Sequence, residues 1–161
     1  ARLVETLEAI PHVTTLRLHT RLPVVIPRRA TLSLSRLLSQ SRLDCVIVLH
    51  INHANEIDEA LKEAIARLRE SGALLLNQSV LLRGINDSTA VLADLSDRLI
   101  AAGVLPYYLH ELDAVSGVNH FRVARTTGET LIADLRKRLP GYAVPRFVAE
   151  EAGKPHKTLL A

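Results

Sequence analysis

The sequence predicts an α/β fold in which parallel strands alternate with helices, arranged either as a barrel or as a doubly wound sheet. Apolar runs of strand length lie at residues 13–18, 45–51, 73–80, 104–109 and 143–148. The middle three recur about every 30 residues, the length of a strand plus its returning helix. The runs are continuous rather than alternating, which is typical of parallel sheets covered by helices.

Helical patterns fill most of the gaps between these runs. The first turns of the chain place Leu3, Leu7 and Ile10 on one face of an amphipathic helix. Later helices are predicted from Asn55, as N-cap, to Gly72, from Ser88 to Gly103, and from about Thr127 to the Pro140-Gly141 break.

Composition excludes several classes of function. At 48% apolar and 23% charged residues, a chain of 161 residues suits one globular domain, and no apolar run nears a bilayer span of about 18 residues. The net charge is +3. However, the sequence has no dense Lys/Arg block and few aromatic residues, which argues against nucleic-acid binding. Cys45, the one cysteine, lies in "CVIVL" and is predicted to be a buried structural thiol in a reducing, cytoplasmic compartment.

Polar residues interrupt three of the runs at their C-terminal ends, where β/α proteins carry their chemistry. They occur in "LHINHANE" (His50, Asn52, His53, Asn55), "NQS" (Asn77, Gln78) and "YYLHELD" (His110, Glu111, Asp113). Any one of them could instead form an Asx turn or a helix cap. Together they predict a pocket. His50 and His53 have no third ligand set, so a metal site is rejected.

Longer motifs carry a resemblance to a known family. "HTRLPVVIPRR", "LHINHANE", "LLNQSVLLRGIND" and "PYYLHELDAVSGVNHFRV" resemble the lysine 2,3-aminomutases, which are radical S-adenosylmethionine (SAM) enzymes. The match runs from about residue 13 to the end and is closest to the branch that makes (R)-β-lysine for elongation factor P. The resemblance implies a partial (β/α) barrel around SAM, pyridoxal 5′-phosphate (PLP) and a [4Fe–4S] cluster.

Two parts of the family pattern are missing here. The sequence contains neither the CxxxCxxC cluster loop nor the strand with the Gly-Gly SAM segment, and it has no Met. We therefore expect a piece of a longer protein: roughly strands three to six of the barrel in residues 1–139, and a PLP-binding segment in residues 140–161. Metal ligands are expected upstream of this chain, which alone should bind no iron and be inactive.

The resemblance also implies roles for residues near the C-terminus. Lys157 matches the lysine that holds PLP as an internal aldimine, whereas Lys154 is interpreted as solvated. Asp113 matches a carboxylate that binds the distal ammonium of substrate lysine. Glu150, seven residues before Lys157, stands where free-lysine enzymes carry a second such Asp. A glycine and a proline near Lys157 are expected to shape a fixed turn.

The resemblance also implies roles for three further residues. His50 and Gln78 match positions that line the SAM pocket, and their neutral side chains can hydrogen-bond the cofactor. His110 falls near the PLP ring, where free-lysine enzymes usually carry a Tyr. The elongation-factor branch is favoured by two other departures from the free-lysine enzymes: Glu150 in place of Asp, and "EEAGKPHK" in place of a glycine-rich run.

The implied activity of the complete enzyme is isomerisation of (S)-α-lysine to (R)-β-lysine. Implied partners are lysine, elongation factor P and its ligase, with no nucleic acid and no membrane; a homo-oligomer is left open. Three alternatives also stay open: a free-lysine aminomutase of lysine catabolism, a silent remnant or interaction module, and a PLP-independent β/α enzyme such as an aldolase with Lys157 as its Schiff-base lysine.

Overall fold

The fold is one six-stranded sheet with helices packed against it, as a computed structural model describes it for residues 2–161. The strands are β1 (Thr15–Thr20), β2 (Asp44–His50), β3 (Leu74–Val80), β4 (Leu105–His110), β5 (Arg146–Ala149) and β6 (Thr158–Leu159). The helices are α1 (Arg2–Glu8), α2 (Leu22–Val25), α3 (Leu32–Ser39), α4 (Glu59–Glu70), α5 (Thr89–Ala102) and α6 (Arg125–Arg136). Short 3₁₀ turns lie at Pro27–Arg29, Ala54–Glu56, Asn119–Phe121 and Gly141–Ala143.

The strand order decides between the two predicted topologies. Strands β1 to β5 are parallel and neighbour one another in the order in which they occur along the chain. A doubly wound sheet reverses its strand order at a switch point, whereas a barrel segment does not. The predicted partial (β/α) barrel is therefore confirmed. It contains the five parallel strands of the five apolar runs, where the resemblance implied about four.

The C-terminal segment completes the same sheet. Strand β5 begins at Arg146, later than the predicted run at residue 143, because Gly141–Ala143 forms a 3₁₀ turn. Strand β6 then returns antiparallel to β5, with Val148 opposite Leu159 and Ala149 opposite Thr158. The division at residue 140 into two units stays a prediction.

The core lies between the sheet and the helices. In its larger cluster, Ile47 and Leu49 of β2 pack with Leu61 and Ile65 of α4. A second cluster joins β4 and β5 to α6 through Leu109, Phe147 and Ile132, among others. Complete burial of each such side chain contributes about 1.5–3 kcal/mol. The opposite face of the sheet carries more polar side chains, and it is there that the candidate site forms.

The observed caps of α5 match the predicted ones, whereas the observed N-cap of α4 does not. Ser88 caps α5 by accepting from the Val91 amide (3.3 Å), and Gly103 ends it with a left-handed φ of 81°. The prediction that Asn55 is the N-cap of α4 is wrong. Asn55 lies inside the preceding 3₁₀ turn, and Asp58 caps α4 by accepting from the Leu61 amide (2.8 Å).

The first helix also differs from its predicted face. Leu3 is 68% exposed, whereas Val4 is buried and Leu7 packs against the larger core cluster. Helix α1 ends at Glu8, so Ile10 lies beyond it and the predicted stripe is too long. Within residues 2–161, no helix is both long enough and apolar enough to cross a membrane.

Cys45 is half-buried rather than fully buried. Its Sγ lies 3.4 Å from the carbonyl oxygen of Leu43. Burial, followed by the nearby carboxylates of Asp44 and Glu8, raises the pKa of the thiol above its usual value. The thiol therefore stays protonated at neutral pH and is a poor nucleophile.

Candidate active site

A cavity of about 390 Å³ opens at the C-terminal ends of β2, β3 and β4. Five of the six predicted site residues line it: His50, Gln78, His110, Asp113 and Glu150. The sixth, Lys157, lines an adjoining cavity of about 240 Å³ that shares Glu150 with the first. The structure thus brings together residues that are up to 107 positions apart in the sequence.

Strand register explains why three of these side chains meet. His50 on β2 is the direct partner of Gln78 on β3, and Val80, two residues further, is the partner of His110 on β4. Side chains at paired positions, and at alternate positions along a strand, share one face of a sheet. His50, Gln78 and His110 therefore all project from the face opposite the helices.

Two buried nitrogens in this cavity have no partner among the described residues. They are the Nε2 atoms of His50 and His110. Buried polar atoms in native proteins are nearly always hydrogen-bonded, so such orphans call for a partner from outside the chain. A ligand in the cavity would supply one.

Both imidazoles are neutral at pH 7. Burial, assisted by His19 and Arg21, lowers the pKa of His50. Burial also lowers the pKa of His110, to about 4, and the positive charge of Lys157 acts in the same direction. A neutral imidazole offers one donor and one acceptor. These histidines can therefore orient a polar ligand without adding positive charge to the site.

The β5–β6 hairpin determines where Lys157 lies. One step beyond the last register pair, Glu150 stands opposite Lys157, and their side chains form an ion pair. The intervening turn contains Gly153 with a left-handed φ of 81°, a conformation that glycine adopts readily. The Lys157 ammonium lies 6.0 Å from the ring centroid of Tyr108 on β4.

Lys154 has a different environment from Lys157. It forms an ion pair with Glu151 and lies 3.2 Å from the Thr158 hydroxyl, so its contacts stay within the hairpin. About half of its side chain is exposed. These contacts suit a turn-stabilising residue; the absence of a catalytic role for Lys154 stays a prediction.

Asparagines near the strand ends form the scaffold of the site. Asn77 points to the opposite side of β3 from Gln78 and bonds both the amide and the carbonyl of Ile51 (2.9 and 3.0 Å). Asn52 accepts from the Val80 amide (2.9 Å). Asn86, which is fully buried, donates to the carbonyls of Asn52 and Val80 (2.9 and 2.8 Å). This network fixes the loops after β2 and β3.

His53 also has a structural role. Its Nδ1 accepts from the Asn55 amide (3.0 Å), so it caps the 3₁₀ turn rather than facing the cavity with His50. Across residues 2–161, no three His, Cys, Asp or Glu side chains are grouped so as to hold a metal ion.

The sequence did not single out several residues that shape the cavity. Arg21 donates to the His50 carbonyl (3.1 Å) and pairs with Glu56 (2.5 Å), which joins the end of β1 to the end of β2. It lies in the motif "HTRLP", which offered a signal. At the register shift beside Asn77/Gln78, the rings of Tyr107 and Tyr108 form a tilted contact with centroids 3.8 Å apart. Such a bulge has no sequence signature here.

The fold has a relative among solved structures. A crystal structure of a radical SAM methyltransferase from Sphaerobacter thermophilus has a similar fold, with a TM-score of 0.54 and 18% identity. The likeness covers 76% of this chain and 39% of that one. The likeness shows a shared fold, a partial parallel α/β barrel. No family model matches the chain.

Sequence relatives are more specific. The chain is 49% identical over 158 residues to an L-lysine 2,3-aminomutase of Escherichia coli, and 48% identical over 161 residues to one of Haemophilus influenzae. The matches cover 98% and 100% of this chain but 46% and 48% of those proteins. The chain thus spans about half the length of the curated relatives it matches, as expected for the C-terminal half. It is a homologue of proteins named L-lysine 2,3-aminomutase, which confirms the resemblance inferred from the motifs.

Proposed function

We propose that this chain forms the lysine-, SAM- and PLP-binding half of a lysine 2,3-aminomutase that makes (R)-β-lysine for elongation factor P modification. One observation carries the proposal: the two adjoining cavities gather all six residues that the family resemblance implicates. These residues come from three strand ends and a hairpin. Identity of 48–49% to relatives named L-lysine 2,3-aminomutase supports the same activity.

The bound cofactors would supply the difficult chemistry: SAM and its cluster a hydrogen-abstracting radical, and PLP an electron sink during migration of the amine from C2 to C3. The protein must then hold lysine so that only one C–H bond meets the radical. Residues that bind both ends of the lysine substrate would hold it in this position.

His50 and Gln78 fit a role in SAM binding. As register partners they present an imidazole and an amide side by side, and the orphaned Nε2 of His50 provides an unused polar atom. Neither group is charged at pH 7 or strongly nucleophilic. They would therefore hydrogen-bond SAM without reacting with it.

Lys157 and His110 fit the PLP end of the site. The Lys157 amine lies beside the Tyr108 ring, a flat surface suited to an aromatic cofactor. His110 makes an edge-on contact with the same tyrosine, at 5.7 Å between ring centroids. Its neutral ring would hydrogen-bond the cofactor through the orphaned Nε2.

Asp113 and Glu150 fit recognition of the distal ammonium of lysine. Both line the larger cavity, and both are exposed in the described chain, so neither pays the cost of a buried, unpaired charge before the substrate arrives. Hydrogen bonds between a carboxylate and an ammonium are about twice as strong as neutral ones. The pair would fix the far end of the substrate.

The [4Fe–4S] cluster does not fit any donor set in residues 2–161. Its ligands are assigned to the part of the complete protein outside this chain. The interaction with elongation factor P and its ligase belongs to the same proposal and concerns the product rather than this cavity.

The test is product analysis with the complete, cofactor-loaded protein. Incubation with (S)-lysine, SAM and a reductant should yield (R)-β-lysine on chiral chromatography, and omission of SAM should abolish it. Adding elongation factor P and its ligase should then give β-lysyl-modified factor. Absence of β-lysine would support the silent-remnant alternative and refute the proposal. β-Lysine that the ligase does not use would leave the free-lysine activity and refute the elongation-factor branch.

A further inference from the structure

Arg125, in the first turn of α6, joins three parts of the fold that border the candidate site. Its guanidinium donates two hydrogen bonds to Glu111, which follows β4: Nε to Oε1 at 3.3 Å and Nη2 to Oε2 at 2.7 Å. The same Nη2 lies 3.6 Å from Oε1 of Glu151 in the hairpin turn. One side chain thus ties α6, the end of β4 and the hairpin together.

The network continues into the turn that carries Lys157. Glu151 forms an ion pair with Lys154 and accepts from the Thr158 hydroxyl (3.0 Å), so both sides of the turn are attached to it. On the other side, the Glu111 amide donates to the Val148 carbonyl (2.8 Å). Arg125 is therefore linked to β5 through Glu111 and to the turn and β6 through Glu151.

These residues surround the proposed substrate carboxylates. A third cavity, of about 410 Å³, has charged lining residues of both signs: Arg122, Arg125, Glu111, Glu151, Asp113 and Glu150. Each network carboxylate lies close in sequence to a site residue: Glu111 follows His110, and Glu151 follows Glu150. Four carboxylates thus gather where one lysine ammonium is expected to bind.

We propose that Arg125 is a positioning residue that holds the Lys157 hairpin on β4 and occupies Glu111 and Glu151, leaving Asp113 and Glu150 to the substrate. The inference rests on the proposed function and deepens it. Without Arg125, Glu111 is free to repel the neighbouring carboxylates and to compete for the lysine ammonium, whereas Glu151 keeps Lys154 but loses its second cation. The turn of the hairpin that presents Lys157 also loses its ion-pair link to α6.

Most exposed ion pairs contribute little, but the geometry here differs from that of an isolated pair. Arg125 is 42% exposed, whereas Glu111 is only 17% exposed and accepts two parallel hydrogen bonds from it. Bidentate geometry and membership of a network are the conditions under which surface pairs become significant. By contrast, the Arg98–Asp94 pair on α5 is a single contact between two half-exposed side chains.

The test uses the complete protein and three variants: Arg125→Gln, Arg125→Lys, and Arg98→Gln as a matched control that removes an ion pair far from the cavity. Two readouts are needed. The first is hydrogen exchange of residues 149–158 in the cofactor-free protein. The second is the fraction of PLP retained on Lys157 after dialysis, measured by borohydride reduction and peptide mass, together with KM and kcat for lysine.

We expect Arg125→Gln to speed exchange in the hairpin at least fivefold, to lower PLP retention at least fivefold and to raise KM for lysine more than it lowers kcat. Arg125→Lys should restore part of each effect, and Arg98→Gln should match the wild type. The inference is overturned if Arg125→Gln behaves like Arg98→Gln. It is also overturned if exchange speeds up while PLP retention and KM stay unchanged, because the role is then only structural. Wild-type protein that carries no PLP on Lys157 would instead overturn the proposed function.

Discussion

Glu150 and Lys157 face each other across the β5–β6 hairpin, one step beyond the last backbone register pair, and their side chains form an ion pair. Their spacing of seven residues is a consequence of that hairpin. Two residues that the sequence selected for different roles, substrate binding and PLP attachment, therefore form one unit. Under the proposed function, Lys157 would hold PLP, and Glu150 would lie directly beside the point of attachment.

Replacement of Asp113 tests substrate recognition. Asp113→Asn keeps the shape of the side chain but removes its charge. It should weaken lysine binding by about 1.5–3 kcal/mol, the range for a hydrogen bond to a charged group. Glu150→Gln should act in the same direction but less, because its longer stem makes the contact less well defined. The measurement is titration of each variant of the complete enzyme with lysine.

SAM titration of the same variants is the control. His50 and Gln78, the proposed SAM contacts, are unchanged in Asp113→Asn, so SAM affinity should stay near the wild-type value. Unchanged lysine affinity, or an equal loss of SAM affinity, would show that Asp113 is structural.

The low pKa of His110 predicts a dependence of stability on pH. Its pKa is about 4 in the folded protein, below the ordinary value of 6.5 in the unfolded chain. The unfolded state therefore binds more protons between these values, and stability falls as the pH drops from about 6.5 to 4. The loss should be about 1–2 kcal/mol, less than 1.36 kcal/mol per pKa unit would give, because the ring is partly solvated.

Denaturant unfolding of wild type and His110→Gln between pH 4 and pH 7.5 measures this effect. The variant should show a smaller decrease in stability over that range. The lowered pKa values of His19 and His50 should leave it some residual slope of the same sign. Identical pH profiles for the two proteins would contradict the account of His110.

The close packing of α6 against β5 at Gly128 leads to a prediction about stability. Gly128 lies in α6, and a Cβ atom at this position would stand 2.4 Å from Cζ of Phe147 on β5, which is 1% exposed. Gly→Ala in a helix ordinarily stabilises by up to about 1 kcal/mol. Here overpacking should reverse the sign, so Gly128→Ala should cost about 1–3 kcal/mol of unfolding free energy.

Gly141→Ala is the matched control. A Cβ atom there meets no heavy atom within 4 Å, so the change should alter stability by no more than about 0.5 kcal/mol. Thermal or urea unfolding compares the two variants directly. Equal stability for both would show that β5 moves away from α6 at little cost.

The sequence predicted the parts of the fold that depend on local patterns. Continuous apolar runs indicated the parallel strands, and Ser88 and Gly103 marked the ends of α5 correctly because their cap chemistry is local. Polar residues at the strand ends also predicted a pocket, since parallel strands end at one edge, but the choice of His50, Gln78 and His110 among them came from the family resemblance. Asn55 failed as a cap because the loop winds one 3₁₀ turn before Asp58 begins α4.

Other features depend on contacts between distant residues and have no local signal. The return of β6 onto β5 rests on two register pairs in a short strand, and the tilted contact between Tyr107 and Tyr108 lies at a shift in register against β3. Likewise, nothing local in the sequence distinguishes Arg125 and Glu111 from other charged residues, because their contact exists only where the fold brings the start of α6 to the loop after β4. The roles of the site residues in binding SAM, PLP and lysine stay predictions.

Mapping of the PLP attachment site tests the central claim most directly. The complete, PLP-loaded enzyme is reduced with borohydride, digested and analysed by peptide mass. The account predicts PLP on Lys157, no attachment in Lys157→Ala, and nearly wild-type attachment in Lys154→Ala. PLP on Lys154 or Lys62 of the wild-type enzyme would contradict it.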